Sequence, residues 1–280
     1  MAERQRRRAG GGVVAVGVLV CSCFGAVGCS GSGTAVGEDA RGGDPVQILH
    51  RAADTLVAAG SSKARTSMEM ATGGTRVTIR GRGVYDYRRQ LGQLKVMLPQ
   101  DPAGTSVRRP ITELLAPGAL FMKNRGAGVP VDKWVRVDTA TLIDGNLVTG
   151  GATDPFAAAE VLRGTRTATY VGRTEVAGTA VRHYRGTADL GQAARDASAG
   201  NKGPLAAAAK GFATARVPFD VYLDDEGRIR KVRHRFSFVN GQREGTVAVA
   251  STTLLYDFGV LADVRLPAAG DIYAGRIAEE

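Results

Sequence analysis

The chain has 280 residues, a formal net charge of +10 and 44% hydrophobic residues, a composition that allows one sizeable core. All three cysteines, Cys21, Cys23 and Cys29, fall near the N-terminus. The sequence beyond Cys29 therefore excludes disulfides, thiolate metal sites and a cysteine nucleophile, and its stability has to come from burial.

The N-terminal segment has the three parts of an export signal. Four arginines between residues 4 and 8 give a basic start, and an uncharged stretch from Gly11 to Gly28 follows. Ala26-Val27-Gly28-Cys29 then resembles a lipobox, the site where a bacterial cysteine receives a diacylglyceryl group before cleavage. This pattern predicts a signal peptide over residues 1–28 and lipidation of Cys29.

Two other interpretations of this segment are less favoured. A spanning helix needs about 20 strongly apolar residues, whereas this stretch is short and rich in glycine. Cys21 and Cys23 are alternative lipidation sites, but less favourable residues precede them and neither is followed by a flexible segment. No Ser-Arg-Arg-x-Phe pattern is present, so we expect export through Sec and anchoring to the outer face of the cytoplasmic membrane.

Residues 30–44 (SGSGTAVGEDARGGD) are rich in glycine and serine, which predicts a flexible tether ahead of a single folded domain over residues 45–280. The segment before Cys29 carries four arginines and Glu3, a net +3, which leaves +7 for the rest. Nucleic acid is not an expected partner of an exported protein. An anionic membrane surface is one candidate partner for this charge, and a solvated basic surface is the other interpretation.

Periodicity in the first half predicts one helix followed by antiparallel strands. Asp44-Pro45 begins the helix and Gly60 ends it. Alternation from residue 63, with a tight turn at Gly73-Gly74, predicts a three-stranded meander that ends near Leu98. Residues 111–123 and 133–138 are each expected to form one further strand.

The second half repeats this order. Asp154-Pro155 begins a short helix that ends at Gly164, and a hairpin over residues 168–190 turns at Ala177-Gly178. A third helix is predicted after Pro204. The remaining strands are predicted over residues 217–223, 229–238 and 245–258. The order is too antiparallel for a doubly wound sheet, so the predicted fold class is α+β, with a hint of two related halves.

No constellation of residues predicts catalysis. The three histidines, His50, His183 and His234, lie without metal-binding spacing and are interpreted as surface or interface residues. The sequence has no Gly-x-Ser-x-Gly elbow, Walker loop or Ser-x-x-Lys. Gly81-Arg82-Gly83 resembles the start of a nucleotide-binding fingerprint, but its place within a strand favours close backbone packing. We therefore expect a non-enzyme without cofactor or metal.

Two charged segments have alternative interpretations. Asp224-Asp225-Glu226 clusters oxygens that calcium accepts, but Gly227 and the flanking strands favour a hairpin turn without an ion. The densest basic run lies within residues 228–235 and comprises Arg228, Arg230, Lys231, Arg233 and Arg235. This run is interpreted either as a solvated strand face or as a contact to lipid headgroups.

Short motifs along the chain resemble a known family. Residues 171–178 (VGRTEVAG), followed by His183-Tyr184 and Asp189-Leu190, are similar to a hairpin of the actinobacterial LppX/LprAFG group of lipoproteins. Three further stretches agree with this resemblance. They are FMK at 121–123 with KWVRVD at 133–138, VPFDVYLD at 217–224 with GRI at 227–229, and YDFG at 256–259 followed by Pro267.

The resemblance implies a LolA/LolB-like fold, in which a strongly curved antiparallel half-barrel sheet has helices packed across its concave face and holds acyl chains between. It implies a lipoprotein that binds lipid or lipidated molecules and carries or presents them at the cell envelope. The implied partners are the membrane, through diacylglyceryl-Cys29, an acyl-chain lipid or glycolipid, and an unidentified envelope transport partner. The polar stretch from Gly191 to Gly203 departs from the family and implies a different pocket entrance.

An apolar cavity would make lipid transfer feasible, because exposing a sixteen-carbon palmitoyl chain to water costs on the order of 12 kcal/mol. Inward-facing residues of the expected strands are predicted to line it. They are Val77, Ile79, Leu94, Val96, Leu120, Met122, Val221, Leu223, Phe236 and Phe238. A filled core would use the same residues. An envelope sensor that binds a protein partner is the alternative function, with a filled core and an apolar outer patch. A hydrolase is disfavoured because no nucleophile–base pair is present.

Overall fold

The computed structural model describes residues 43–72, 75–99, 109–239 and 246–275. The predicted signal peptide, Cys29, most of the tether and the turn at Gly73-Gly74 lie outside the described residues. Within the described residues, eleven strands form one sheet. The strands are β1 (Ser61–Thr72), β2 (Thr75–Asp86), β3 (Leu91–Met97), β4 (Ile111–Ala116), β5 (Ala119–Lys123), β6 (Val135–Asp138), β7 (Thr165–Val176), β8 (Thr179–Asp189), β9 (Arg216–Leu223), β10 (Ile229–Val239) and β11 (Thr246–Tyr256).

Five α-helices occur in the same part of the chain. They are α1 (Pro45–His50), α2 (Ala52–Ala59), α3 (Pro155–Val161), α4 (Leu190–Asp196) and α5 (Ala199–Gly211). Short 3₁₀ helices lie at Thr139–Thr141, Leu162–Gly164 and Ala269–Asp271. None of the helices in the described ranges has the length and apolar character needed to cross a membrane.

The sheet is open and consists of two meanders joined at one seam. Its strand order is β6-β5-β4-β3-β2-β1-β11-β10-β9-β8-β7, with every pair antiparallel. β1 and β11 form the seam, in which Lys63 pairs with Tyr256 and Ala71 with Ala248. Helices precede each meander, so the hint of two related halves matches the topology. The predicted α+β fold class is confirmed.

Helix α5 shows that the sheet is strongly curved around its helices. The helix has 13 residues, which makes it about 20 Å long. Near its start Gly200 packs against Pro117 in the β4–β5 turn, and just after its end Phe212 stacks on Phe236 of β10, with ring centroids 4.8 Å apart. In a flat sheet those strands would lie roughly 24–29 Å apart. Because one short helix bridges them, the two wings bend toward each other.

The helix boundaries follow the predicted caps. The Asp44 carboxylate accepts a hydrogen bond from the Val46 backbone N–H at 3.0 Å, and that of Asp154 accepts from Phe156 at 2.7 Å. Gly60 ends α2 with a φ of 86°, a conformation that favours glycine. The first helix is divided at Arg51 into α1 and α2.

Two predicted elements were wrong in their extent. Residues 111–123 form two strands rather than one, because Gly118 adopts a φ of 69° and turns the chain between β4 and β5. The predicted helix after Pro204 begins earlier, at Ala199, and contains Pro204 in its interior. Pro204 is buried against the Gly145 backbone, so tertiary packing outweighs the lost hydrogen bond.

Burial differs between the two faces of the sheet. The concave face packs against the helices to form the main core, which includes Phe156, Leu205 and Phe219. On the outer face a smaller cluster covers one wing, where Val264 of the C-terminal segment packs with Leu114 and Phe121.

Candidate functional site

All ten residues predicted to line a cavity lie on the concave face of the sheet. Strand register arranges them in rows, since each inward-facing residue pairs with an inward-facing neighbour on the next strand. In one such pairing Leu94 lies beside Glu113, and Glu113 lies beside Met122. On the other wing Phe236 pairs with Val249. Six of the ten residues occupy β2, β3 and β5, and four occupy β9 and β10.

The structure packs most of these residues into the core. Five of them have no exposed surface: Leu94, Val96, Leu120, Val221 and Leu223. Phe212 lies against both Phe236 and Phe238, with centroid distances of 4.8 and 4.6 Å. A role for these residues as cavity lining remains a prediction.

An open cleft lies at the edge of the same concave face. Its volume is about 820 Å³, which falls within the range of small-molecule sites. Ile79 is the one predicted lining residue that borders it, together with Met70, Leu98 and Ile111. Residues 124–127 and 129–131 also line it, as do Val148 and Thr149. Arg109 and Arg125 add positive charge to its walls.

A glycine-containing strap, residues 144–153, forms the inner wall of the cleft. The carboxylate of buried Asp144 anchors the strap by accepting hydrogen bonds from the backbone N–H groups of Asn146, Val148 and Thr149 at 3.1, 2.7 and 2.6 Å. At the other end, the Thr153 hydroxyl donates to the Leu147 carbonyl at 2.8 Å and contacts the Ser251 hydroxyl.

The strap separates the cleft from the core. A Cβ on Gly151, whose φ is 88°, would lie 3.4 Å from both Ile79 and Val96. One residue earlier, a Cβ on Gly150 would lie 3.2 Å from the Glu113 carboxyl. Glycine at these positions therefore lets the backbone approach the sheet closely. Displacing the strap would connect the cleft with the packed concave face.

Glu113 is the most unusual ionisable group behind the strap. Its side chain has no exposed surface, and neither carboxyl oxygen has a hydrogen-bond partner among the described residues. Burial raises the pKa of Glu113 to about 8, and the positive charge of Arg125 opposes this only in part. The carboxyl is therefore protonated at neutral pH and is a potential hydrogen-bond donor.

Sequence reasoning did not single out Glu113, although a signal was present. Ile111, Glu113 and Leu115 share one face of β4 by period-two alternation. Because Ile111 and Leu115 are apolar and face inward, the glutamate between them on the same face is predicted to be buried. The interpretation of residues 111–123 as one strand hid this, since it gave no separate register for β4.

Other buried polar groups lie on the concave face near the seam. Thr66 pairs with Thr253 across the seam, and both hydroxyls lack partners within the described part of the chain. His234 is 1% exposed, so the interpretation of this histidine as a surface or interface residue was wrong. It alternates inward between Val232 and Phe236, and desolvation lowers the pKa of His234 to about 3. His234 is thus a neutral core residue.

The other two histidines make specific contacts. The ring of His50 lies 3.0 Å from the Thr165 carbonyl. His183 contacts the Asp220 carboxylate at 2.9 Å and stacks on Tyr222 with centroids 4.3 Å apart. Arg185 donates to the same carboxylate at 2.9 Å, so Asp220 is the centre of an ion-pair network on the outer face.

The acidic turn is a hairpin turn, as its sequence favoured. The Gly227 N–H donates to the Asp224 carbonyl at 3.0 Å, and Gly227 has a φ of 80°. The Asp224 carboxylate accepts from the Arg228 backbone and guanidinium, each at 2.8 Å. Glu226 pairs with Arg228 at 3.0 Å.

The basic run at 228–235 is not one free cationic face. Arg228 is held by Asp224, Arg230 donates to the Thr179 hydroxyl at 3.1 Å, and Arg235 donates to the Asp220 carboxylate at 2.9 Å. Arg233 lies 3.6 Å from Glu69. Internal contacts therefore engage most of this run.

The close packing expected at Gly81 and Gly83 is present. A Cβ on Gly83 would collide with the Gln93 carbonyl of β3, and one on Gly81 with the Thr66 side chain. These glycines therefore bring β2 close to its neighbours rather than bind a nucleotide phosphate.

Solved structures similar to this chain include two mycobacterial lipoproteins. LppX from Mycobacterium tuberculosis is 8% identical with a TM-score of 0.45, and the match covers 80% of this chain and 100% of that one. LprF from Mycobacterium bovis is 14% identical with a TM-score of 0.39, covering 80% and 97%.

A LolA superfamily protein from Nitrosomonas europaea is also similar, at 11% identity and a TM-score of 0.34, over 78% of this chain and 96% of that one. No protein-family model and no curated protein matches the chain.

Proposed function

We propose that this protein is a membrane-anchored, extracytoplasmic lipoprotein that binds the acyl chains of a lipid or lipidated molecule and carries or presents them at the cell envelope. The cleft of about 820 Å³ beside the concave face carries this proposal. Its walls combine aliphatic side chains with two arginines, which suits a ligand with an apolar tail and a polar or anionic headgroup.

Anchoring through diacylglyceryl-Cys29 and export through Sec complete the proposal. A carrier is useful only beside the membrane that supplies its cargo, and the predicted tether would hold the domain there. In this proposal, the strap moves and the acyl chains then extend over the ten concave-face residues. Glu113, protonated behind the strap, would donate a hydrogen bond to an ester or hydroxyl group of the ligand.

Blocking the cleft tests the site. Ala127 is exposed on its wall, so Ala127→Trp adds an indole to the cleft without disturbing the core. We expect uptake of a fluorescent sixteen-carbon acyl probe by the full chain to weaken at least roughly 10-fold, since a ring of that size displaces several methylenes worth about 0.8 kcal/mol each.

Ala213→Trp is the matched control, because Ala213 is exposed beyond the end of α5 and does not border the cleft. This variant should bind the probe as the unmodified chain does. Native mass spectrometry of the chain from a bacterial membrane fraction should in addition show a co-purified lipid mass. A bare polypeptide mass, with no probe uptake by the unmodified chain, would overturn the proposal.

A sensor that binds a protein partner is the second candidate, and the packed core behind the strap favours it. A sensor would also need an apolar patch on the outer face to bind its partner. The exposed large apolar side chains of the described residues are scattered in sequence: Met97, Val131, Ile143, Val171, Val239, Leu261 and Leu266. Crosslinking in cells separates the candidates, because a sensor would trap one protein whose affinity is unchanged after lipid extraction.

A further inference from the structure

Strand register assembles a row of cations on the outer face of the sheet. Lys95 of β3 pairs with Arg82 of β2, and Arg82 pairs with Arg65 of β1. Leu254 of β11 continues the row, followed by Lys231 of β10. Side chains paired in this way point to the same face with their Cβ atoms about 5 Å apart. We call Lys95, Arg82 and Arg65 the cation row.

No acid of the described residues neutralises the cation row. Lys95, Arg82 and Arg65 are all exposed. Within the described residues, none of the three lies within salt-bridge distance of an acid. Two acids close to these strands have other partners, since Glu69 of β1 faces Arg233 and Asp257, just after β11, pairs with Lys63. Like charges placed directly opposite one another on a sheet are destabilising. A fold that keeps three in a row therefore presents a surface for an external anion.

A shallow groove lies along the cation row. Its volume is about 630 Å³, and Arg80 of the next row adds a fourth cation to its lining. Met97, Leu254 and Tyr256 also line the groove, and Met97 is 49% exposed. The groove therefore combines positive charge with apolar side chains, which is the combination found where proteins contact the boundary between headgroups and acyl chains.

We propose that this outer face docks the domain onto an anionic lipid bilayer, with the cation row on lipid phosphates and Met97, Leu254 and Tyr256 at the headgroup boundary. The inference goes beyond acyl-chain binding and rests on the proposed function only for its location beside a membrane. The 15 residues of the predicted tether, 30–44, reach up to about 50 Å, so the anchor permits this orientation. The cleft is bordered by concave-face residues and is left uncovered.

Vesicle binding tests the inference. The full chain and a variant with the row neutralised are compared by co-flotation with vesicles of equal parts phosphatidylglycerol and phosphatidylcholine, and with pure phosphatidylcholine. Since each cation near an anionic surface contributes about 1 kcal/mol, the variant should partition roughly 100-fold more weakly onto the anionic vesicles. Added salt should reduce the difference. The variant is Arg65→Gln, Arg82→Gln and Lys95→Gln.

A matched variant removes three exposed cations from the helical side of the domain. It carries Arg51→Gln, Lys202→Gln and Lys210→Gln. Its net charge equals that of the cation-row variant and its N-terminal segment is identical, so contributions from overall charge and from residues 1–42 cancel. This control should bind anionic vesicles nearly as the unmodified chain does.

Equal losses in the two variants, or equal binding of the unmodified chain to both kinds of vesicle, would overturn the inference. So would binding of an acidic peptide or inorganic phosphate that depends on the cation row when vesicle binding does not. Urea unfolding checks that the cation-row variant is folded. Because the substitutions relieve like-charge repulsion, this variant should be at least as stable as the unmodified chain. Acyl-probe uptake by the same variants should be unchanged, which separates failure of docking from failure of the proposed function.

Discussion

Glu113 shows how burial of a single side chain sets the behaviour of the site. The carboxyl is fully buried, and the groups that act on its charge are Arg125, from the loop after β5, and Asp154, at the start of α3. Burial also raises the pKa of Asp154 to about 6. Both acids are therefore neutral only below about pH 6, and Glu113 alone is neutral at pH 7.

Glu113→Gln is expected to remove a pH dependence of stability. The folded chain keeps this proton up to a pKa of about 8, against 4.5 for an unperturbed glutamate, so stability decreases as pH rises through that window. Between pH 6.5 and 8 the variant should gain about 1–2 kcal/mol relative to the unmodified chain. Urea unfolding at several pH values measures this gain.

The window above pH 6.5 isolates Glu113 from two other groups. His234 affects the free energy of unfolding only at lower pH. Between its ordinary pKa of 6.5 and its pKa of about 3 in the folded chain, the unfolded chain is protonated at this histidine and the folded chain is not. The Asp154 window closes near its own pKa of about 6. Glu175→Gln, at an exposed position of β7, is the control. If both variants had the same pH profile, Glu113 would not hold a proton in the fold.

At the scale of elements, the strap is the segment that separates the cleft from the core. The carboxylate of Asp144 accepts three of its backbone N–H groups and the Thr149 hydroxyl. Leu147 and Ala152 of the strap are buried in the main core. Its glycines pack on the sheet without side chains. Loss of the Asp144 carboxylate would remove four of the hydrogen bonds that hold the strap and would leave the pairing of the strands unchanged.

Asp144→Ala is expected to open the path from the cleft to the core. Removing the acceptor leaves several donors unpaired and costs roughly 2–4 kcal/mol. Amide hydrogen exchange of residues 146–149 should accelerate, and acyl-probe uptake should become faster. Asp138→Ala, which removes a single cap bond to Ala140, should change neither measurement. Slower uptake in the Asp144 variant would show that the strap forms the site rather than gates it.

Local signals predicted most elements but not their register. Caps and period-two alternation placed α1, α3 and the meander of β1 to β3 correctly, because those signals act within a few residues. Pro204 misled the prediction of α5, since its burial against the strap is a tertiary effect. The cation row could not be predicted for the same reason. Lys95, Arg82 and Arg65 are distant in sequence, and only the pairing of three strands brings them together.

At the scale of the whole molecule, one seam joins the two meanders. Val249 of β11 is 2% exposed and lies between Met70 and Phe236, so it links both wings of the core. The sheet is open, and the wings are also bridged by α5. Stability of either wing should therefore depend on the seam.

Val249→Ala is expected to weaken both wings together. The truncation should cost about 2 kcal/mol through lost burial and a residual cavity. Amide exchange should rise to a similar extent in β2 and in β9. By comparison, Val181→Ala on β8, a buried residue near one edge, should raise exchange first in β7 to β9. Exchange confined to one wing in the Val249 variant would mean that the halves unfold independently.

The bulges of β7 have a consequence for how copies of this protein meet. β7 is an end strand of the sheet, and its pairing with β8 shifts after Thr165 and again after Tyr170. Exposed Arg166, Arg173 and Glu175 follow along it. A second copy would need an uninterrupted run of free N–H and carbonyl groups to add itself as a twelfth strand, and the two shifts break that run. A second copy would therefore not extend the sheet regularly at β7.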